Sequence, residues 1–338
     1  MFWHRLETIK HSKNRGRYGP IFAVLFSTII LLGSPSATFI EAADSENGKL
    51  DESISKTNIL PNIASEFNIE ANAVFEPAPA EWDIFGISKI YPTSENGREF
   101  FSNWDNGEKR VLTFNARDSV DSELILKGKN PKLTIHGNGV ATLEGNDPKL
   151  IANPRIYIYD EQKQKTWNNV EITFYQKRIN EHTPLSYSGL NVGARSEHQD
   201  FSDENLSHSE TYYGRFTNDG RVQFVKEIEH GSAYVNSSEE KYPWNTPGGN
   251  LPVDAWIGLK YTVRTVESSG DIKFELYMDT SNGLQGGSWN KVNEFTEDGN
   301  WGGPKVFSEP GTSIFIKNDG LGIAQYKNLS VREITPIT

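Results

Sequence analysis

Short runs of alternating apolar and polar residues recur along the chain from about residue 81 to its end. Three lie in the last third: residues 256–263 (WIGLKYTV), 273–278 (KFELYM) and 326–334 (YKNLSVREI). Successive side chains of a strand point to opposite faces, so this pattern predicts antiparallel strands with one face in the core and one in water. Similar runs come earlier, at residues 84–90, 110–114, 123–126, 132–135, 155–159, 170–175, 189–194, 210–216 and 222–228. Many short strands with little helical periodicity predict an all-β sandwich or barrel.

Turn residues separate these runs. Asn218-Asp219-Gly220 and Asn318-Asp319-Gly320 both stand between alternating segments. Asp-Gly supplies the positive backbone dihedral angles of a tight hairpin, so we predict a hairpin at each.

The N-terminus sets the expected compartment. An apolar run at residues 21–32 (IFAVLFSTIILL) follows five basic residues, Arg5, Lys10, Lys13, Arg15 and Arg17, and small residues follow it. This order is typical of a secretory signal peptide, and the run is short for a membrane helix, which needs about 20 apolar residues. We therefore predict a signal peptide at 1–43, with an uncleaved N-terminal anchor as the alternative. In either case we expect a secreted or extracellular cell-surface protein.

The rest of the chain divides into two parts. Residues 44–80 are polar and end in a proline-containing stretch (EPAPA), which predicts a flexible linker or stalk. Residues 81–338 hold the predicted strands and form the expected β-sandwich domain.

Composition narrows the classes of function. The net charge is −11, which disfavours nucleic acid as a partner, and we expect membrane contact only through an N-terminal anchor. There are no cysteines, which excludes disulfides, thiolate metal sites and cysteine nucleophiles. The seven histidines lack the close spacing of metal ligands, so we predict no metal centre and no required cofactor. A bound calcium ion remains an open alternative, because the chain has acidic loops such as Asp118 with Asp121 and Asp298 with Asn300.

The alternation also sorts side chains by face. In the segment 222–230 it groups Lys226 and His230 with apolar residues and places Gln223, Val225 and Glu227 on the opposite face, which we expect to be in solvent. Polar faces of several strands combine aromatic rings with cationic and amide groups, a mixture that suits a saccharide. The candidate substrate-binding residues are Tyr175, Asn191, Arg195, Trp256, Lys260 and Tyr277.

Several segments taken together resemble a family. They are residues 167–173 (WNNVEIT), 189–195 (GLNVGAR), 212–216 (YYGRF), 225–227 with His230, and 256–261 (WIGLKY). In this order they are similar to secreted concanavalin-A-like jelly rolls, especially the polysaccharide-lyase and glucanase-type members. The resemblance implies a jelly-roll β-sandwich of two antiparallel sheets that binds a polysaccharide on its concave sheet.

The resemblance also implies two enzymatic alternatives. Glycoside hydrolases of this fold carry paired carboxylates in a Glu-x-Asp-x-x-Glu pattern, which is absent here. A polysaccharide lyase acting on uronates by β-elimination needs a base and groups that neutralise the uronate carboxylate. His230, Tyr213, Arg215 and Lys226 are the candidates for that chemistry, although the Gln-x-His and Tyr-Phe-Lys-Ala-Gly signatures of alginate lyases are absent.

We therefore predict an exported carbohydrate-binding protein, with a lyase as the first alternative and a glycoside hydrolase or structural cell-surface protein as the second. The geometric expectation is that Arg195, Arg215, Lys226, His230 and Lys260 converge in one groove.

Overall fold

A computed structural model describes residues 81–128, 130–145, 153–160, 162, 164–181, 188–197, 209–229, 233–236, 239–243, 250–302 and 306–338. The predicted signal peptide and stalk lie outside these residues. The described part contains sixteen β-strands and one short 3₁₀ turn, Leu284–Gly286. The strands are β1 (Glu99–Phe101), β2 (Arg110–Thr113), β3 (Leu124–Lys127), β4 (Pro131–Ile135), β5 (Val140–Gly145), β6 (Arg155–Tyr159), β7 (Val170–Glu181), β8 (Gly189–Ser196), β9 (Thr211–Thr217), β10 (Val222–Glu229), β11 (Ala233–Asn236), β12 (Trp256–Thr265), β13 (Ile272–Asp279), β14 (Asn290–Glu297), β15 (Ser313–Asp319) and β16 (Leu321–Glu333).

The strands form two antiparallel sheets. The nine-stranded sheet has the order β14-β13-β12-β7-β16-β5-β4-β2, with β1 paired to β16. The seven-stranded sheet has the order β11-β10-β9-β8-β15-β6-β3. Every pairing between named strands is antiparallel. The predicted jelly-roll β-sandwich of two antiparallel sheets is therefore confirmed.

The core lies between the two sheets, because one face of each is almost wholly apolar. On β7 the inward residues are Val170, Ile172 and Phe174, and on β8 they are Leu190 and Val192, all buried in one hydrophobic cluster. Burial of each such side chain contributes about 1.5–3 kcal/mol. The period-two alternation of the sequence thus generates the sandwich.

Some elements differ from the sequence prediction. The run 84–90 is not a strand but a turn-rich segment, in which Ser88 forms one isolated bridge with Trp82. Five strands were not predicted, namely β1, β5, β11, β14 and β15.

The first predicted hairpin is confirmed, because β9 and β10 pair on either side of Asn218-Asp219-Gly220. The second is wrong. Gly320 has a φ of 74°, but β15 before it belongs to the seven-stranded sheet and β16 after it to the nine-stranded sheet. The turn at Gly320 carries the chain from one sheet to the other, and turn chemistry alone does not distinguish this crossing from a hairpin.

One segment covers part of the outer face of the nine-stranded sheet. We call residues 81–98 the strap. The backbone N–H groups of Ile90 and Tyr91 donate to the buried Glu171 carboxylate, at 3.1 Å each to Oε2. Ser88 N donates to the Gly286 carbonyl at 2.9 Å. The strap is thus bound to β7 and to the turn before β14.

Candidate functional site

The candidate site is the outer face of the seven-stranded sheet, where residues of neighbouring strands align in two rows. Strand register aligns Arg155 with Lys317, Lys317 with Asn191, Asn191 with Arg215, and Arg215 with Gln223. We call these five residues the polar row. It crosses five adjacent strands, β6, β15, β8, β9 and β10.

The next row along the strands is aromatic. Register aligns Tyr157 with Phe315, Phe315 with Gly193, and Gly193 with Tyr213. The ring centroids of Tyr157 and Phe315 are 4.8 Å apart, and those of Phe315 and Tyr213 are 5.6 Å apart. A Cβ atom at residue 193 would lie 2.5 Å from the Phe315 ring, so glycine is needed there for the ring to lie across β8. We call Tyr157, Phe315 and Tyr213 the aromatic row, and all three are buried.

Hydrogen bonds fix the polar row. The Asn191 amide accepts from Arg215 Nε at 2.8 Å and donates to Asp319 Oδ2 at 3.0 Å. Asp319 in turn pairs with Lys317 Nζ at 3.2 Å. The buried amide of Asn191 therefore links Arg215 to Asp319, and Asp319 balances the charge of Lys317.

A buried carboxylate lies beside Tyr213 of the aromatic row. The Tyr213 hydroxyl donates a hydrogen bond to Glu227 Oε2, and Glu227 is buried. The expectation that Gln223, Val225 and Glu227 are in solvent is wrong, since all three are buried on this outer face.

The ionisable groups of this face influence one another. Burial raises the pKa of the Tyr157 hydroxyl to about 12, with Arg155 acting against the rise and Glu227 adding to it. Burial lowers the pKa of Lys317, and Asp319 offsets part of that effect. Burial also disfavours the charged form of Arg155, but the neighbouring Tyr157, Tyr213 and Asp319 outweigh it and its pKa lies above the usual value. Both rows therefore form one coupled electrostatic cluster.

The sequence-predicted site residues do not converge. Asn191, Tyr213 and Arg215 lie together on the face just described. His230 lies outside the described residues. The remaining six lie elsewhere, so the expectation of one groove is wrong.

Two of the six point away from both outer faces. Lys226 points into the space between the sheets, where its Nζ pairs with Glu297 at 3.1 Å and lies 5.1 Å from the Phe307 ring centroid. Arg195 has a φ of 46° and donates to the Phe307 carbonyl and, from β8, to Thr265 Oγ1 of the opposite sheet. Burial lowers the pKa of Arg195 to about 10. Both cations therefore connect parts of the sandwich and do not line a groove.

The other four lie on the outer face of the nine-stranded sheet. Lys260 Nζ binds Glu171 at 2.7 Å, and Tyr175 donates to Asp279 at 2.8 Å. The Tyr277 hydroxyl lies 3.4 Å from that of Tyr91 in the strap. These three are buried, whereas Trp256 is partly exposed. The alternation along a strand predicts whether a side chain points into the core or to the outer face. It does not predict which of the two sheets the strand joins.

Several residues of the candidate site were not predicted: Arg155, Tyr157, Gln223, Glu227, Phe315, Lys317 and Asp319. For β6 the signal was present, because Arg155, Tyr157 and Tyr159 alternate with Ile156 and Ile158. The same alternation runs through residues 314–317 of the unpredicted β15.

No group of three or more metal-ligand side chains occurs in the part of the chain that the structure describes. Of the acidic pairs considered for calcium, Asp118 is engaged by Arg110, whose Nε lies 2.6 Å from Oδ1. Asp298 accepts from Asn300 N at 3.0 Å. Within the described ranges, no helix is long and apolar enough to cross a membrane.

Comparisons with known proteins identify similar solved structures only. No protein-family model and no curated protein matches the chain. Peanut lectin is 12% identical, with 68% of this chain and 99% of the lectin covered and a TM-score of 0.34. The carbohydrate recognition domain of Emp46p is 12% identical, with 66% and 94% covered and a TM-score of 0.38. The cellulose-induced protein Cip1 is 11% identical, with 69% and 90% covered and a TM-score of 0.34.

At such low identity and TM-score these similarities carry no argument about fold or function. The strand order and pairing define the fold, and the residues of the site have to support any function.

Proposed function

We propose that this protein is an exported carbohydrate-binding protein that binds an acidic polysaccharide on the outer face of its seven-stranded sheet. The basic, apolar and small residues at the N-terminus support export. The observation that carries the ligand class is the polar row, in which three cations, Arg155, Lys317 and Arg215, lie with two amides across five strands.

The geometry of that row favours a polymer over a single small anion. Adjacent strands lie about 4.8 Å apart, so five strands give a linear array of cations and amides about 19 Å long. Its two partly exposed cations, Arg215 and Lys317, lie two strands apart, so a chain with regularly repeated carboxylates can contact both at once. Arg215 and Lys317 are only partly buried and can reach a ligand, while the aromatic row forms the floor beside them.

Charge supports the same ligand class. The whole chain is acidic, with a net charge of −11, so it repels polyanions at long range. Attraction must come from a local set of cations, and guanidinium groups pair with carboxylates through parallel hydrogen bonds. Arg215 supplies such a group, and Lys317 adds a second partly exposed cation in the same row.

A second candidate function is β-elimination on the same ligand class, and the Tyr213–Glu227 pair favours it. In that reaction a base removes the proton on the carbon beside the uronate carboxylate. The electron pair forms a carbon–carbon double bond, and the glycosidic oxygen leaves with a proton. Tyr213 is the candidate group for proton transfer, and Arg155 and Arg215 would neutralise the carboxylate.

The test is binding of alginate, glucuronan and a neutral glucan to the full chain by calorimetry, with ultraviolet absorbance of the same mixtures. We expect binding of the uronates and not of the glucan, and Arg215→Met should weaken it about tenfold. Lys132→Met is a matched control, because Lys132 lies on the other sheet and pairs with Glu144. Equal affinity for the glucan, or an unchanged affinity in Arg215→Met, would contradict the proposal.

Absorbance separates the two candidates. A rise that Tyr213→Phe abolishes without loss of binding supports β-elimination. Binding without a rise in absorbance supports the binding function and contradicts the lyase alternative.

A further inference from the structure

On the opposite side of the sandwich, the ammonium group of Lys327 lies between two aromatic rings. Its Nζ is 5.1 Å from the Tyr175 ring centroid and 5.0 Å from that of Trp256. Its hydrogen-bond acceptor is Asn282 Oδ1, at 2.7 Å. Among the described residues no carboxylate oxygen lies within 4.0 Å of this ammonium group. Lys327 is therefore a partly buried cation with no directly paired carboxylate among the described residues.

The surroundings of Lys327 are held rigidly. Tyr175 donates to Asp279 Oδ2 at 2.8 Å, and the same carboxylate accepts from the backbone N–H groups of Ser281, Gly283 and Ser288. These bonds fix the loop that carries Asn282. They also occupy Asp279, which acts on Lys327 only at a distance. Such fixed positions reduce the entropy cost of binding a ligand.

A second cation lies at the same indole. Lys177 Nζ is 5.4 Å from the Trp256 ring centroid, and Lys177 and Trp256 are register partners on β7 and β12. Its carboxylate partner is Asp254 at 3.5 Å, whose side chain is 76% exposed, so this ion pair is weak. Two ammonium groups beside one partly exposed indole create a local positive potential. Burial lowers the pKa of Lys327, as expected for a cation that lacks a close counterion.

We propose that Lys327, Lys177 and Trp256 form a second ligand site that binds the acidic group of a sugar, a carboxylate or a sulfate. The anion pairs with Lys327 and Lys177, and the edge of the sugar ring packs against Trp256. The choice of an acidic sugar as ligand rests on the proposed function, whereas the site itself does not. The two sites lie on opposite outer faces, so one molecule can bind two glycan chains and connect them.

The test follows the indole N–H signal of Trp256 in ¹⁵N-labelled full-length protein, assigned with Trp256→Phe. The probes are an oligomer of glucuronate, a sulfated oligosaccharide and a neutral glucose oligomer. We expect the signal to shift with either or both acidic probes and not with the neutral one. Lys327→Met, which keeps the apolar stem, should weaken that binding about tenfold.

Two comparison variants make the result decisive. Lys132→Met removes a partly exposed lysine of the same sheet that already has a carboxylate partner, and should leave the titration unchanged. Arg215→Met should weaken binding at the first site while the Trp256 shift persists. If the first site fails its own test and the Trp256 shift still depends on Lys327, the second site stands alone.

Three results would overturn the inference. One is a Trp256 signal that no acidic probe moves. Another is an equal loss in Lys327→Met and Lys132→Met, which indicates attraction by net charge alone. The third is a Trp256 shift that disappears in Arg215→Met, which indicates one site rather than two.

Discussion

The two outer faces of the sandwich carry similar polar side chains, but these side chains have different partners. On the nine-stranded sheet, buried Glu171 binds Lys260 and Arg332 at 2.7 and 2.8 Å and also accepts backbone N–H groups of the strap. On the seven-stranded sheet, buried Glu227 accepts from Tyr213, while Arg215 donates to Asn191 of the adjacent strand and Lys317 pairs with Asp319 of its own strand. One carboxylate therefore anchors a chain segment, and the other binds the hydroxyl group of a tyrosine in the aromatic row.

This difference shows that a polar outer face is not by itself a binding site. Lys260 and Tyr277 have the residue types expected of a sugar site, yet the structure buries them against Glu171 and Tyr91. Lys317 and Arg215 also suit a sugar site, and they are partly exposed in the polar row. The partners of a polar group decide between a structural and a binding role.

The largest expected difference between the faces is in stability. Glu171→Gln leaves two buried cations without their shared counterion and should lower the free energy of unfolding by about 3–5 kcal/mol at pH 7. Glu227→Gln should cost less, about 1 kcal/mol, because Gln also accepts from the Tyr213 hydroxyl. Urea unfolding of both variants measures this difference.

The pH dependence of unfolding checks the cause. Burial acts to raise the pKa of Glu171, but Lys260 and Arg332 outweigh it and hold the pKa below its usual value. The stabilisation is thus present above about pH 4.5 and is lost as the pH falls through the lower folded-state value. Glu171→Gln should lose this part of the acid dependence. Equal destabilisation by the two Gln variants would remove the distinction between the faces.

An intermediate effect is expected for ligand binding at alkaline pH. Because burial lowers the pKa of Lys317, uronate binding should weaken as the pH rises through a value below 10.5. The guanidinium groups of the polar row stay charged in that range. Lys317→Met should bind about tenfold more weakly at pH 7 and should lack this alkaline decline. Calorimetry across pH measures both, with circular dichroism as the check that the fold persists.

The smallest effect concerns a carboxyl group in the connection between β2 and β3. Burial raises the pKa of Asp121 from 3.8 to about 6, so the folded state binds the proton more tightly than the unfolded state. Its favourable contribution is present below about pH 4 and is lost as the pH rises through about 6. Asp121→Asn should therefore raise the free energy of unfolding at pH 7 by about 1 kcal/mol and change it little at pH 4.

Thermal unfolding at the two pH values measures this contrast, with Glu227→Gln as the comparison on the candidate site. A destabilised Asp121→Asn at pH 7 would contradict the sign of the shift. A gain of the same size at both pH values would show that its cause is not ionisation.

Alternation identified most strands, but only part of the site. The runs around Phe174, Val192 and Leu259 were recognised because their inward side chains are apolar at every second position. The strand β15 was not predicted, although Ile314, Phe315 and Ile316 are apolar. For that reason Phe315, Lys317 and Asp319 were not recognised as residues of the site. The prediction placed Lys226 correctly on the apolar face. On that face Lys226 is buried between the sheets and pairs with Glu297.

By itself the sequence determined the all-β class, the inward and outward side of each recognised strand, and the hairpin at Asn218-Asp219-Gly220. These follow from local rules, namely the period-two geometry of strands and the backbone freedom of Gly. Only the tertiary structure decided which strands are neighbours, and therefore that Arg155, Lys317, Asn191 and Arg215 form one row while Lys260 lies on the other sheet. Pairing joins residues more than a hundred positions apart, as in β8 with β15, and such contacts have no local signature in the sequence.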